Sequence, residues 1–172
     1  MSERAAEETK KTQDTASLGT TSKGKPWPPN IQAALKRKAP ASEYLGLEIL
    51  DADQDERWVK VAFNAGEQLC NLWGGIQGGM VAAMLDDVMA FAVGLDLDWG
   101  EISPTLEIKV SMLNAARPGR IYGEGRVIKR GKSVGFIEGE LRDESGKVLA
   151  TGSSTATFVR LKRAEDKKTG KK

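Results

Sequence analysis

Residues 77–94 constrain this chain more than any other stretch. Met80 to Leu85 is apolar without interruption, and Val88, Met89, Ala90, Phe91, Ala92 and Val93 extend the run past two acids. A surface helix keeps a solvated stripe, whereas a helix apolar nearly all round has to be covered on several sides. The rest of the chain must therefore supply a layer that wraps it. Strand patterns precede it at 44–50 and at 57–63, where Trp58, Lys60 and Ala62 mark an alternating face. Four more follow, roughly 103–113, 120–130, 133–142 and 148–159. Pro118-Gly119, Arg130-Gly-Lys132 and Asp143-Glu-Ser-Gly146 read as the turns between them. Strands joined by short turns pair antiparallel by default. A short helix is expected at 31–38, stopping at Pro40, with a polar turn at 51–56 and a loop at 64–76. The expected class is α+β: one antiparallel sheet curled around a long central helix.

The 172 residues suffice for one domain with a real core. Residues 1–29 are expected to be a disordered tail, since their first 25 residues offer almost no large apolar side chain to offset chain entropy. The domain is placed at 30–160, and 161–172 reads as a basic disordered tail. Net charge is only +2, and no basic stripe carries interleaved aromatics, so nucleic acid is not an expected partner. Neither is a membrane, because Asp86 and Asp87 interrupt the longest apolar run and no apolar leader precedes the domain. A cytoplasmic location is expected, consistent with the single cysteine, Cys70. Cys70 itself reads as a small buried hydrophobe. Histidine is absent altogether. That removes Ser-His-Asp triads, Cys-His pairs and His-ligated metals, so chemistry here must use carboxylates, amides, hydroxyls or backbone groups.

The stretch Asn71-Leu-Trp-Gly-Gly-Ile-Gln-Gly-Gly-Met-Val-Ala-Ala-Met-Leu-Asp86-Asp87 offers such a set. Glycines at a helix start leave backbone N–H groups free for an oxyanion. A carboxylate among apolar side chains is costly unless something satisfies or uses it. Donors and acid together suggest acyl transfer. Each residue also has a plainer reading. Asp86 would then be a helix acid capped by a hydroxyl, Gln77 an N-cap amide and Asn71 a turn residue. Thr105 would be an ordinary strand residue, Trp73 packing and Lys132 a solvated turn charge. Asp87 faces about 100° away from Asp86 and reads as structural, paired across a dimer.

The spacing resembles that of hotdog-fold thioesterases of the phenylacetyl-CoA thioesterase type. The family's Asn, its His-Gly-Gly loop six residues on, its catalytic Asp nine further and its Thr/Ser strand fall on Asn71, Gln77-Gly78-Gly79, Asp86 and Thr105. The stretches from Met112 to Gly119, Gly125 to Lys132 and Asp143 to Ala150 resemble the family's later strands and turns, so the resemblance covers about 44–159. Gln77 departs from it, since an amide donates and accepts hydrogen bonds but carries no catalytic proton. The resemblance implies an acyl-CoA thioesterase acting on an aromatic or short- to medium-chain substrate. It also implies a homodimer, commonly a homotetramer. No metal or cofactor beyond the coenzyme A thioester itself is expected.

In that reading Asp86 is the general base or the nucleophile. Gly78 or Gly79 N–H holds the oxyanion. Asn71 bonds the thioester oxygen or the water, and Thr105 orients the water or Asp86. Arg130, Lys132 and Ser133, with Arg117, are candidates for the coenzyme phosphates, and Trp73 for the acyl pocket. Eight residues of helix separate Gly78 from Asp86 by ~12 Å, too far to share one carbonyl, so each site is expected to combine two chains. The alternatives are a hotdog dimer that binds acyl-CoA or an aromatic ligand without turnover, and a hotdog dehydratase or hydratase, which normally employs a histidine base.

Overall fold

The computed structural model describes residues 20–161 apart from Lys38 and Trp99. Its order is α1 (Pro29–Arg37), α2 (Pro40–Tyr44), β1 (Leu47–Asp53), β2 (Trp58–Ala65), a 3-10 turn (Glu67–Leu69), α3 (Gly78–Gly94), β3 (Glu101–Ile102), β4 (Thr105–Met112), β5 (Gly119–Arg130), β6 (Val134–Arg142), β7 (Val148–Thr157) and β8 (Val159–Arg160). Six strands form one antiparallel sheet, ordered β1-β2-β5-β6-β7-β4, while β3 and β8 pair apart from it. Helix α3 lies across the sheet, with Val81, Met84, Leu85, Val88, Met89, Ala92 and Val93 buried. The helix meets Val59, Val61, Phe63, Ile121, Ile137, Leu141 and Ala150 in one core. This is the hotdog arrangement, and the apolar-all-round helix is its cause.

Close approach of helix to sheet depends on glycines where the two cross. Gly125 pairs with Gly139, and Gly139 with Gly152, in one line across β5, β6 and β7. A Cβ on Gly125 would stand 2.5 Å from the Val88 carbonyl oxygen, and one on Gly139 would stand 3.0 Å from Met89 Cγ. Side chains there would push the helix off the sheet.

Three sequence expectations change. Strand β1 starts at Leu47 and runs through Asp53, into the stretch read as a polar turn. Asp51 and Asp53 are buried because the turn at 20–26 covers and satisfies them. Ser22 N–H and its hydroxyl bond the Asp51 carboxylate, and Lys23 Nζ lies 2.5 Å from Asp53 Oδ2. That lysine bond holds the Asp53 carboxyl below its usual range. The N-terminal tail therefore cannot extend to residue 29: Trp27 is 3% exposed and belongs to the core. Tail residues 1–19 and 162–172 lie outside the described residues. Finally, Pro40 starts a helix as well as stopping one, since proline suits a first helical turn. Among the described residues no helix is long and apolar enough to cross a membrane.

Candidate active site

Helix α3 carries both halves of the predicted site. At its start, Met80 N–H and Val81 N–H both bond the Gln77 carbonyl, at 2.8 and 3.1 Å. Of the four donors a helix start leaves over, those of Gly78 and Gly79 have no acceptor among the described residues. The loop that presents them is fixed. Gln77 N–H bonds the Leu69 carbonyl at 2.8 Å, and Ile76 N–H bonds the Ala116 carbonyl at 2.9 Å. The Gln77 side chain is exposed and makes no capping bond to the helix start.

Two turns along, Asp86 is half-buried, and its Oδ1 accepts a 3.0 Å hydrogen bond from Thr105 Oγ1 at the start of β4. The structure thus brings Thr105 to Asp86 at the middle of the helix and leaves Gly78 two turns away at its start. Asn71 is engaged in its own turn: its Oδ1 accepts from Trp73 N–H at 2.9 Å and from Gly75 N–H at 3.4 Å. That turn pushes Leu72 and Trp73 into solvent, 97% and 86% exposed. So exposed, the Trp73 ring is not part of this chain's core.

Among the basic candidates, Arg130 is occupied. Its guanidinium stacks 3.9 Å over the Phe158 ring and reaches Glu101 at 3.3 Å. Lys132 and Ser133 are exposed on the turn between β5 and β6. That turn lies at the Thr105 end of the sheet, because Thr105 pairs with Ala156 and Ala156 with Gly135. Arg117 is exposed near the opposite end, just after β4.

The acid with the strongest perturbation is Asp87. Burial pushes its carboxyl up to about 6, a hydrogen bond from Ser42 opposes this, and the charge of Asp86 adds to it. Its Oδ2 is sealed, with no partner among the described residues. Within its own chain, Asp87 is thus bonded to Ser42 on α2. Its effect on stability has a definite sign. A carboxyl raised from 3.8 to about 6 favours folding fully below pH 3.8, and the gain is lost as pH rises through about 6. The difference is worth roughly 3 kcal/mol for a wholly dry group and roughly 2 for one that solvent still touches. Asp87→Asn should thus raise the urea midpoint at pH 7.5 but not at pH 4. Equal midpoints of mutant and wild type at pH 7.5 would refute this.

Two partners of the site were not legible in sequence. Met112 Cε and Sδ lie 3.0 and 3.1 Å from where a Cβ on Gly78 would stand, so the thioether rests on that glycine. Its only signal was its inward phase on β4, opposite buried Ala150. Ser42 had no signal at all, as it lies on the unforeseen helix α2.

Comparison with known proteins settles the family. Residues 74–150 match the family model described as Thioesterase superfamily. A solved phenylacetic acid degradation-related protein from Ralstonia eutropha JMP134 is 33% identical, with TM-score 0.70, covering 74% of this chain and 98% of its own. This chain belongs to the thioesterase superfamily. A Haemophilus influenzae thioesterase (21% identical, TM-score 0.68, covering 77% of this chain and 90% of its own) shares the fold. So does the E. coli PaaI protein from the phenylacetic acid degradation operon (19%, TM-score 0.67, 76% and 91%). Within the superfamily chain, the matched segment holds Gly78, Gly79, Asp86, Thr105 and Met112.

Proposed function

We propose that this chain hydrolyses acyl-coenzyme A thioesters at two equivalent sites, each shared between two copies of the chain. The observation that carries this is the separation of acid from donors along α3, with an open sheet edge between them. Strand β4 runs from Thr105, beside Asp86, to Met112, beside Gly78, and no strand covers its outer side among the described residues. An open edge is a template for another strand, and Leu106, Met112 and Leu113 beside it are exposed. A two-fold pairing of β4 with itself sets the Thr105 end of one copy against the Met112 end of the other. Asp86 of one chain then faces the Gly78-Gly79 donors of its mate.

Chemically, Asp86 takes a proton from water as the oxygen attacks the thioester carbonyl. The oxyanion accepts from Gly78 or Gly79 N–H. The intermediate then collapses, the C–S bond breaks, and the thiolate leaves with the proton Asp86 had taken. Thr105 holds the carboxylate by one oxygen, leaving the other for water. Lys132 and Ser133, at the Asp86 end, and Arg117, at the donor end, are the candidates to meet the coenzyme's phosphates. The acyl group is an aromatic or a short- to medium-chain one. The test is thiol release from a panel of such acyl-CoAs, with the mass in solution measured on the same preparation. Binding without release would leave a ligand-binding protein, and hydrolysis by a strict monomer would sink the shared site.

The pairing register follows from charge. Directly opposed residues of antiparallel strands share a face. Centred on Ile108, the pairing sets Glu107 of each copy against Lys109 of the other, whereas centred on Lys109 it opposes two lysines. Lys109→Glu should therefore weaken the dimer by about tenfold or more, as two like-charged pairs cost up to about 1 kcal/mol each. Adding Glu107→Lys should restore it. Sedimentation of the two variants checks this, and a double mutant no tighter than the single one rules the register out.

A further inference from the structure

We propose that Met112 sets which acyl groups this site accepts, closing on Gly78 and selecting thioesters unbranched at the acyl α-carbon. The inference rests on the shared-site reading above and deepens it. The two vacant donors at the start of α3 are unlike each other. A Cβ on Gly79 would meet nothing within 4 Å, while one on Gly78 would meet the Met112 thioether at 3.0–3.1 Å. The Gly78 backbone is therefore roofed by a side chain and the Gly79 backbone is open. Met112 itself is 55% exposed, so this roof is not locked in a core. With three rotatable bonds it can swing aside and close again.

A carbonyl oxygen hydrogen-bonded to Gly78 N–H carries its two substituents with it, the thioester sulfur and the acyl α-carbon. The Met112 thioether, resting on the same glycine, is placed to meet one of them. The sulfur side is always a sulfur followed by a methylene. The acyl side varies, and a slim CH2 passes a displaced thioether where a branched carbon does not. The β4 pairing strengthens the point. Centred on Ile108, it brings Met112 to the first residues of the second copy's β4, where that copy's Thr105 bonds its Asp86. The thioether then stands at the edge of the space between one chain's donors and the other chain's acid, beside the place of the carbonyl carbon.

The experiment compares wild type, Met112→Ala and Met112→Leu on hexanoyl-CoA and 2-methylhexanoyl-CoA. It follows thiol release, and also affinity for the non-hydrolysable ketone analogues of both. Met112→Ala should raise the branched-to-linear ratio of kcat/KM by about tenfold, the lower end of what one methyl group is worth in a fitted pocket, while volume-conserving Met112→Leu stays near wild type. An unchanged ratio in Met112→Ala, with hydrolysis intact, overturns the role of Met112 and leaves the hydrolase reading standing. If nothing is hydrolysed but the analogue affinities shift as stated, Met112 keeps its role and the hydrolase reading falls. If neither rate nor affinity distinguishes the variants, the inference is wrong.

Discussion

Asp86→Asn should lower kcat for thioester hydrolysis by about a thousandfold, within the range a positioned general base contributes. The amide is nearly isosteric and keeps an oxygen that can accept from Thr105 Oγ1, as Asp86 Oδ1 does at 3.0 Å. The fold, the start of α3 and the β4 edge are therefore unchanged, and KM should stay near wild type. What is lost is the ability to take a proton from water. A fall in kcat with KM preserved is the signature of an interaction made in the transition state alone. Removing Gly78 or Gly79 would not give so clean a test, because a side chain at a helix start also alters the loop. Equal rates in wild type and Asp86→Asn would place the base elsewhere and refute the proposed site.

The second large effect is on stability. Gly125→Ala should destabilise the chain by about 3 kcal/mol or prevent folding, because overpacking against an immovable group is among the costlier core changes. The new Cβ would stand 2.5 Å from the Val88 carbonyl oxygen, which is helix backbone and has no rotamer to yield. Gly152 is the internal control. It lies on the same line of glycines, but a Cβ there would meet Leu85 Cδ1, Lys109 O and Met89 Cε at 3.4 Å, an ordinary contact. Gly152→Ala should cost less than about 1 kcal/mol, so the two variants would differ in Tm by roughly 5–10 °C. Equal melting temperatures would mean that α3 does not rest on β5 as closely as the structure has it.

Much of the fold was legible because its strongest signals are local. An apolar-all-round helix and four strand patterns with turn residues between them define a wrapped helix whatever the details. Failures of the sequence reading came where a distant segment changes what a residue meets. Asp51 and Asp53 read as a solvated turn because Ser22 and Lys23, which satisfy them, lie some thirty residues earlier. Trp27 sits behind a polar stretch that gives no sign of reaching the core. For the candidate site, the placing of Gly78, Gly79 and Asp86 on one helix was legible, and so was their distance along it.

The residue order by itself determined the buried helix, the antiparallel sheet around it, and the absence of imidazole chemistry. These follow from periodicity and composition, which neighbours in the chain suffice to express. Only the tertiary structure decided that Asp87, not Asp86, is the sealed carboxyl, that Asn71 spends its side-chain carbonyl on its own turn, and that Met112 roofs Gly78. Two of these depend on which distant groups the sheet and helices bring within a few ångströms, pairing Ser42 with Asp87 and Gly78 with Met112. The third depends on how a loop closes on itself. No pattern along the chain encodes such meetings, because burial and contact are properties of the assembled layers.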